Sequence, residues 1–157
     1  MAELSELFFG AYEHSVDSKG RIIIPVPFRA GLGEKFVVGV TLTFNAIALY
    51  PEKVFLEKLE LLEKLGRGTD RTKAAAMAQF ARSSYPDSVM DAQGRLLLPQ
   101  KLRQRFFGEE KEIEISGDSR IVRIVSLKQA REEEQYFDEH KDEISDYLSE
   151  LQLGEER

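Results

Sequence analysis

The sequence predicts an α+β, β-rich fold in which two tandem copies of one small β unit pack together with flanking helices. Three observations carry this. First, Asp17-Ser18-Lys19-Gly20-Arg21-Ile22-Ile23-Ile24-Pro25, followed by Phe28-Arg29, returns as Asp91-Ala92-Gln93-Gly94-Arg95-Leu96-Leu97-Leu98-Pro99, followed by Leu102-Arg103. Every matched position lies 74 residues from its partner, a period too long for a solenoid repeat. Second, short aliphatic runs bounded by turn residues read as strands in both copies. Third, each β unit leads into a segment of helical periodicity.

In the first copy the strands are Ala11–Val16, Arg21–Ile24, Phe36–Val40 and Ala46–Tyr50. In the second they are Asp87–Met90, Arg95–Leu98, Lys111–Ser116 and Arg120–Ser126. Glu112-Ile113-Glu114-Ile115 alternates strictly, and Gly117-Asp118 supplies a turn, so this pair is a hairpin. Pro51 opens a helix with Phe55, Leu59 and Leu62 on one face, ending at Gly66. Thr69 caps a second, alanine-rich helix from Asp70 to Arg82, with Met77, Phe80 and Ala81 as its apolar side. This is a structured connector, since it lacks the composition of a flexible linker. A longer helix starts near Leu127 and carries Ala130, Phe137, Ile144 and Leu151 at intervals of seven. Gly154 to Arg157 are expected to be disordered.

The repeated element reads as a tight loop, a strand and a helix. Asp17 and Asp91 turn their carboxylates back onto backbone N–H groups two residues on. Gly20 and Gly94 supply the left-handed conformation such a loop needs. Arg21 and Arg95 stand at the mouth of continuous aliphatic strands, Ile22 to Ile24 and Leu96 to Leu98, which read as buried. Pro25 and Pro99 end those strands and open a short helix, where a missing N–H costs little. A copy of roughly 45–50 residues is marginal alone, so the halves are expected to share a core.

The chain has no cysteine, which excludes disulfides and thiolate metal sites and fits a reducing cytoplasm. No apolar run approaches the ~20 residues of a membrane span, and the N-terminus shows no signal-peptide pattern. Net charge is −6, but it is segregated. Gly66 to Arg105 holds eight Lys/Arg against three acids, and Gln129 to Arg157 three against eleven. Nucleic-acid binding depends on where basic groups cluster, so an acidic tail does not exclude it.

Catalysis has little to stand on. His14 and His140 are the only histidines, and no phosphate-loop, dinucleotide or nucleophile-elbow string occurs. His14 lies three residues before Asp17, but the second copy has Ser88 at that place, so the pair is not duplicated. Glu132, Glu133, Glu134, Asp138, Glu139, Asp142 and Glu143 lack the glycine turn and alternating oxygens of a calcium loop and read as a solvated helix face. The chain is expected to be no enzyme, with no metal and no cofactor. The arginines are more informative. Arg21, Arg29, Arg95 and Arg103 belong to the repeat, with Lys19, Lys101 and Arg105 beside them. A guanidinium on a rigid strand rim meets phosphate or a guanine edge with its fork already oriented. The competing reading is that Arg21 and Arg95 pair with Asp17 and Asp91 only to hold the loop; duplication and the basic flanks favour binding.

At these residues the chain resembles the MraZ family of bacterial transcriptional regulators, which carry two SpoVT–AbrB-type DNA-binding units, each marked by a D-x-x-x-R signature. The resemblance runs from about Phe8 to the C-terminal helix. It implies two swapped-hairpin β units packed on each other and a homo-oligomeric ring. It also implies binding to repeated double-stranded DNA sites ahead of the division and cell-wall gene cluster, its own operon included, usually as a repressor. Such a protein works in the cytoplasm on the nucleoid, with no membrane partner. Lys19 and Arg21 match the family's DNA-contacting positions, and Arg95 corresponds in the second copy; with Arg29 and Arg103 they form the expected DNA-binding set. Asp17, Gly20, Asp91 and Gly94 are the expected loop organisers. Two departures stand out: the family's Phe-Arg-Gly start is here Phe8-Phe9-Gly10, without the expected basic residue, and the chain starts several residues earlier than is usual for the family; between the copies, Gln93 replaces the lysine of the first.

The expected domains are a first repeat over 10–57, a helical connector over 58–84, a second repeat over 87–130, and an acidic C-terminal helix and tail over 131–157. Two other functions fit the sequence. An AbrB-like antitoxin would bind DNA and use the C-terminal helix on a toxin, although antitoxins usually carry one copy of the fold. A scaffold ring would bind only protein, with purely structural arginines.

Overall fold

In the computed structural model, which describes residues 3–66, 68 and 70–155, each repeat supplies four strands in the same order. The first contributes β1 (Ala11–Ser15), β2 (Arg21–Ile23), β3 (Phe36–Val40) and β4 (Ile47–Pro51). The second contributes β5 (Tyr85–Ser88), β6 (Arg95–Leu97), β7 (Glu112–Asp118) and β8 (Ile121–Ser126). Short helices α1 (Val26–Leu32) and α4 (Gln100–Phe107) follow β2 and β6. Between the repeats lie α2 (Glu52–Gly66) and α3 (Arg71–Arg82), and the chain closes with α5 (Leu127–Glu139) and α6 (Lys141–Glu155).

The two repeats exchange strands. A six-stranded antiparallel sheet runs β1-β7-β8-β4-β3-β5, and a separate two-stranded ribbon joins β2 to β6. Interchanging the halves turns the large sheet into itself read backwards, so the order records an internal two-fold relation. Only the β3–β4 and β7–β8 pairings are local hairpins; β1–β7, β3–β5, β4–β8 and β2–β6 all cross between copies. The strands of the two repeats thus belong to one body, which ends at Ser126. By contact density the chain divides after Ser126, with Leu127 onward forming a second unit.

The core follows from the aliphatic runs. Val38, Leu49, Ile113, Ile115, Val122 and Ile124 are fully buried, each aliphatic side chain worth about 1.5–3 kcal/mol when removed from water. Phe8 locks the N-terminal segment onto the sheet edge: its N–H donates to the Ser119 carbonyl at 2.7 Å, and its ring meets Phe28 edge-on at 5.7 Å. The backbone at Phe8 and Phe9 passes over Gly117 so closely that any side chain there would collide with it. Gly117 therefore lies inside β7, and the hairpin turn falls two residues later than expected, at Ser119 (φ 62°) and Arg120.

The connector packs as its periodicity indicates. Phe55 and Phe80 stack at 5.7 Å, both against Tyr50, whose hydroxyl donates to the Val40 carbonyl. Burial pushes the Tyr50 hydroxyl far above its ordinary value. The apolar side of α3 is narrower than expected, since Met77 is half-buried and Ala81 exposed. Its cap is Asp70, which accepts from Thr72 N at 2.9 Å and Lys73 N at 3.2 Å; Thr69, the expected cap, lies outside the described residues. At its other end the Ser83 hydroxyl donates to the Gln79 carbonyl at 2.8 Å. The chain therefore reaches the edge of β3 at Tyr85, two residues before the predicted strand start. Asp87, at φ 61°, sits where the β3–β5 register shifts.

The C-terminal unit is two helices, not the single long one expected. The break is at His140, whose Nδ1 approaches the Tyr136 carbonyl at 2.8 Å, while its own N–H is shared between the carbonyls of Tyr136 and Phe137. A side chain bonding back to the carbonyl four residues earlier weakens and bends a helix. Helix α6 runs on through Gly154 to Glu155, so the expected disorder does not begin at Gly154; Glu156 and Arg157 lie outside the described residues. Among the described residues no helix is long and apolar enough to cross a membrane.

Candidate nucleic-acid interface

Each Asp-x-x-Gly-Arg loop is closed by its own aspartate. Asp17 Oδ1 accepts from Lys19 N at 2.9 Å and Arg21 N at 2.8 Å, and Asp17 Oδ2 accepts from Arg21 Nε at 2.8 Å. The second copy repeats the pattern: Asp91 Oδ1 accepts from Gln93 N and Arg95 N, each at 2.9 Å, and Asp91 Oδ2 from Arg95 Nε at 2.7 Å. The Gly20 N–H returns to the Asp17 carbonyl at 3.0 Å, which requires its φ of +83°. The Arg21 backbone N–H is the chief cause that holds the Asp17 carboxyl below its ordinary 3.8; the guanidinium and the Lys19 N–H add to it, and desolvation opposes. Asp91 is held down in the same way by Arg95. Both carboxylates thus bond within their own loops.

The ribbon brings the two loops together. Arg21 lies opposite Leu97, Ile22 opposite Leu96, and Ile23 opposite Arg95. The ladder continues at both ends, with Leu98 N donating to the Gly20 carbonyl at 3.1 Å and Ile24 N to the Gly94 carbonyl at 2.8 Å. Directly paired residues share a face and alternate residues point oppositely. Ile22 and Leu96 therefore face the core, at 1% and 2% exposure, while Arg21, Ile23, Arg95 and Leu97 form the outer face. The two arginines are diagonal neighbours, roughly 7–8 Å apart along the ribbon. Each spends only Nε on its aspartate, so its outer guanidinium nitrogens make no bond among the described residues.

This corrects the reading of Ile22–Ile24 and Leu96–Leu98 as wholly buried. Ile23 is 47% and Leu97 60% exposed, because a two-stranded ribbon has only one face to give to the core. Neither is in the DNA-binding set expected from the sequence. The available signal was their spacing: each stands two residues after the motif arginine, on its side of the strand.

Arg29 and Arg103 bond to the backbone just beyond the ribbon strands. Arg29 Nε donates to the Ile24 carbonyl at 2.9 Å, and Arg103 Nε to the Leu98 carbonyl at 2.9 Å. Their guanidinium groups then cross to the other copy, Arg29 against Gly94 and Arg103 against Gly20, in the space a side chain would occupy. Both are half-buried. Lys19, Lys101 and Arg105 are exposed, Lys19 in the first loop and the other two on α4. His14 lies in β1 opposite Ile113, and among the described residues it makes no hydrogen bond or ion pair with Asp17. No group of three or more His, Cys, Asp or Glu able to hold a metal ion occurs among the described residues.

Residues 7–78 match the sequence model of a family described as "MraZ protein, putative antitoxin-like". A protein of Lachnoclostridium phytofermentans named transcriptional regulator MraZ is 36% identical over 148 residues, covering 94% of this chain and 99% of that one. One of the same name from Acetivibrio thermocellus is 40% identical over 121 residues, covering 75% of this chain and 80% of its own length. A third, from Finegoldia magna, is 33% identical over 150 residues, covering 94% of this chain and all of its own length.

Proposed function

Since the chain belongs to the MraZ family, whose named relatives are transcriptional regulators, we propose that it regulates transcription by laying the β2–β6 ribbon against double-stranded DNA. Its sites are repeated elements ahead of the division and cell-wall gene cluster, including its own operon, and its action there is repression. The observation that carries this reading is the diagonal pair Arg21 and Arg95 on the single exposed face of the ribbon. The major groove, about 12 Å wide, admits a two-stranded ribbon, and a guanidinium fork matches guanine O6 and N7. Asp17 and Asp91 fix each guanidinium before DNA arrives, which lowers the ordering cost of binding. Lys19 adds a phosphate contact at one end of the ribbon. Arg29 and Arg103 serve by holding the loops and the two copies together.

A single subunit with a net charge of −6 binds polyanionic DNA weakly. A homo-oligomeric ring on spaced repeats overcomes this, because linked sites raise affinity about 10²–10⁴-fold without new contacts. Ring closure is also how head-to-tail interfaces end without filaments. Such a protein resides on the nucleoid in the cytoplasm. Footprinting on the DNA upstream of its own gene tests the reading, with sedimentation run in parallel. Protection of several spaced repeats by an assembly larger than a dimer is expected. A monomer that binds one repeat as tightly as an array contradicts the ring, and absence of any protected site contradicts the DNA assignment.

A further inference from the structure

The outer face of the ribbon holds more than its arginines. Ile23 and Leu97, large aliphatic side chains on a rigid strand, stay 47% and 60% exposed. They are placed by the strand ladder: Leu97 is the direct cross-strand partner of Arg21, and Ile23 that of Arg95. The face therefore consists of two arginine–aliphatic pairs related by the internal two-fold, an arrangement that neither the core nor the loop chemistry requires.

We infer that Ile23 and Leu97 are specificity-determining residues that read the C5-methyl groups of thymines beside the bases contacted by Arg95 and Arg21. The inference rests on the DNA reading above and deepens it. Cross-strand partners have Cβ atoms about 4.5–5.5 Å apart, whereas successive bases on a strand rise by about 3.4 Å. An aliphatic partner thus falls within reach of the base next to the one its arginine meets. It has no polar atom, so among the groups displayed in the major groove only the thymine methyl matches it. Guanine, adenine and cytosine present donors or acceptors that an isoleucine or leucine would desolvate without repaying. The flanking guanidinium groups supply the charge that brings these two apolar side chains to a polyanion rather than to another apolar surface.

The test replaces thymine by deoxyuridine, which removes the methyl group and leaves base pairing unchanged, one position at a time in the duplex footprinted upstream of the gene. Wild-type protein is expected to lose roughly fourfold in affinity at the position facing each aliphatic side chain, as removal of one buried carbon implies. Ile23→Ala is expected to abolish the loss at one position and Leu97→Ala at the other, while both variants still bind through the arginines. Leu56→Ala, an exposed aliphatic on α2, should keep the full wild-type sensitivity. Equal affinity of the wild type for thymine and deoxyuridine duplexes overturns the proposal and leaves the DNA reading standing. A smaller sedimenting species for Ile23→Ala, with deoxyuridine sensitivity intact, also overturns it by giving the face to subunit packing. Failure of the wild type to bind any upstream duplex overturns both.

Discussion

The guanidinium of Arg103 occupies the space into which a side chain at Gly20 would project, and it is held there by its own Nε bond to the Leu98 carbonyl at 2.9 Å. Leu98 N donates in turn to the Gly20 carbonyl. The second copy's arginine thus packs against the first copy's loop, and Arg29 packs against Gly94 in the same way. Neither loop is shaped by its own repeat alone.

Gly20→Ala therefore meets two penalties: a positive φ that L side chains resist, and the Arg103 guanidinium. Backbone strain of this kind costs about 1–3 kcal/mol, readable as a lower midpoint in a denaturant titration. Arg103→Ala alone is expected to lose a hydrogen bond worth about 0.5–1.5 kcal/mol. In the double variant the collision is gone, so the two losses should sum to more than the measured total, with a coupling of about 0.5–3 kcal/mol. Strict additivity would show that Arg103 and Gly20 do not meet.

Acid should loosen the loops. Asp17 and Asp91 both lie below the ordinary 3.8 in the folded chain, so the unfolded chain binds their protons more tightly. Their stabilisation is complete above the unfolded value and is lost as pH falls through the lowered folded values. Urea midpoints of Asp17→Asn/Asp91→Asn are expected to fall less steeply than wild type between about pH 5 and pH 2. Near neutral pH the double variant should melt lower and bind DNA no more tightly. Parallel acid limbs, or tighter DNA binding by the variant, would show that the carboxylates face DNA instead of the loop.

Lys19 and Gln93 occupy matched places in the two loops, and only one carries charge. Each phosphate contact contributes about 0.9 to the slope of log affinity against log salt. Lys19→Gln should reduce that slope by about 0.9 per bound subunit, and Gln93→Lys should raise it by a similar amount. Slopes unchanged in both variants would remove the loop lysine from the interface.

The local half of this architecture is readable in the residues themselves, whereas the crossing half enters only through the family resemblance and its swapped hairpins. Asp17, Gly20 and Arg21 act within four residues of one another, so residue types at fixed spacing reveal the Asx-turn and the left-handed glycine. Strand exchange depends on contacts between residues far apart in the chain. The sequence therefore indicates a shared core without saying that β1 pairs with β7, or that Arg29 reaches Gly94. For the same reason the approach of Arg29 to Gly94 and of Arg103 to Gly20, each across the copies, is not legible in the residue pattern. Ile23 and Leu97 are hidden by their neighbours, since three consecutive aliphatics carry no period that tells one buried face from two. His140 interrupts an apparently continuous heptad because its ring competes for a carbonyl, which hydrophobic spacing does not record.

The most direct measurement is the affinity of Arg21→Ala/Arg95→Ala for the duplex upstream of the gene, taken together with its melting curve. Each bidentate guanine contact is worth about 1–3 kcal/mol, so the double variant should lose at least about fivefold per arginine while melting close to wild type. A variant that melts unchanged and binds that duplex as tightly as wild type would show that the ribbon is not the DNA-binding surface.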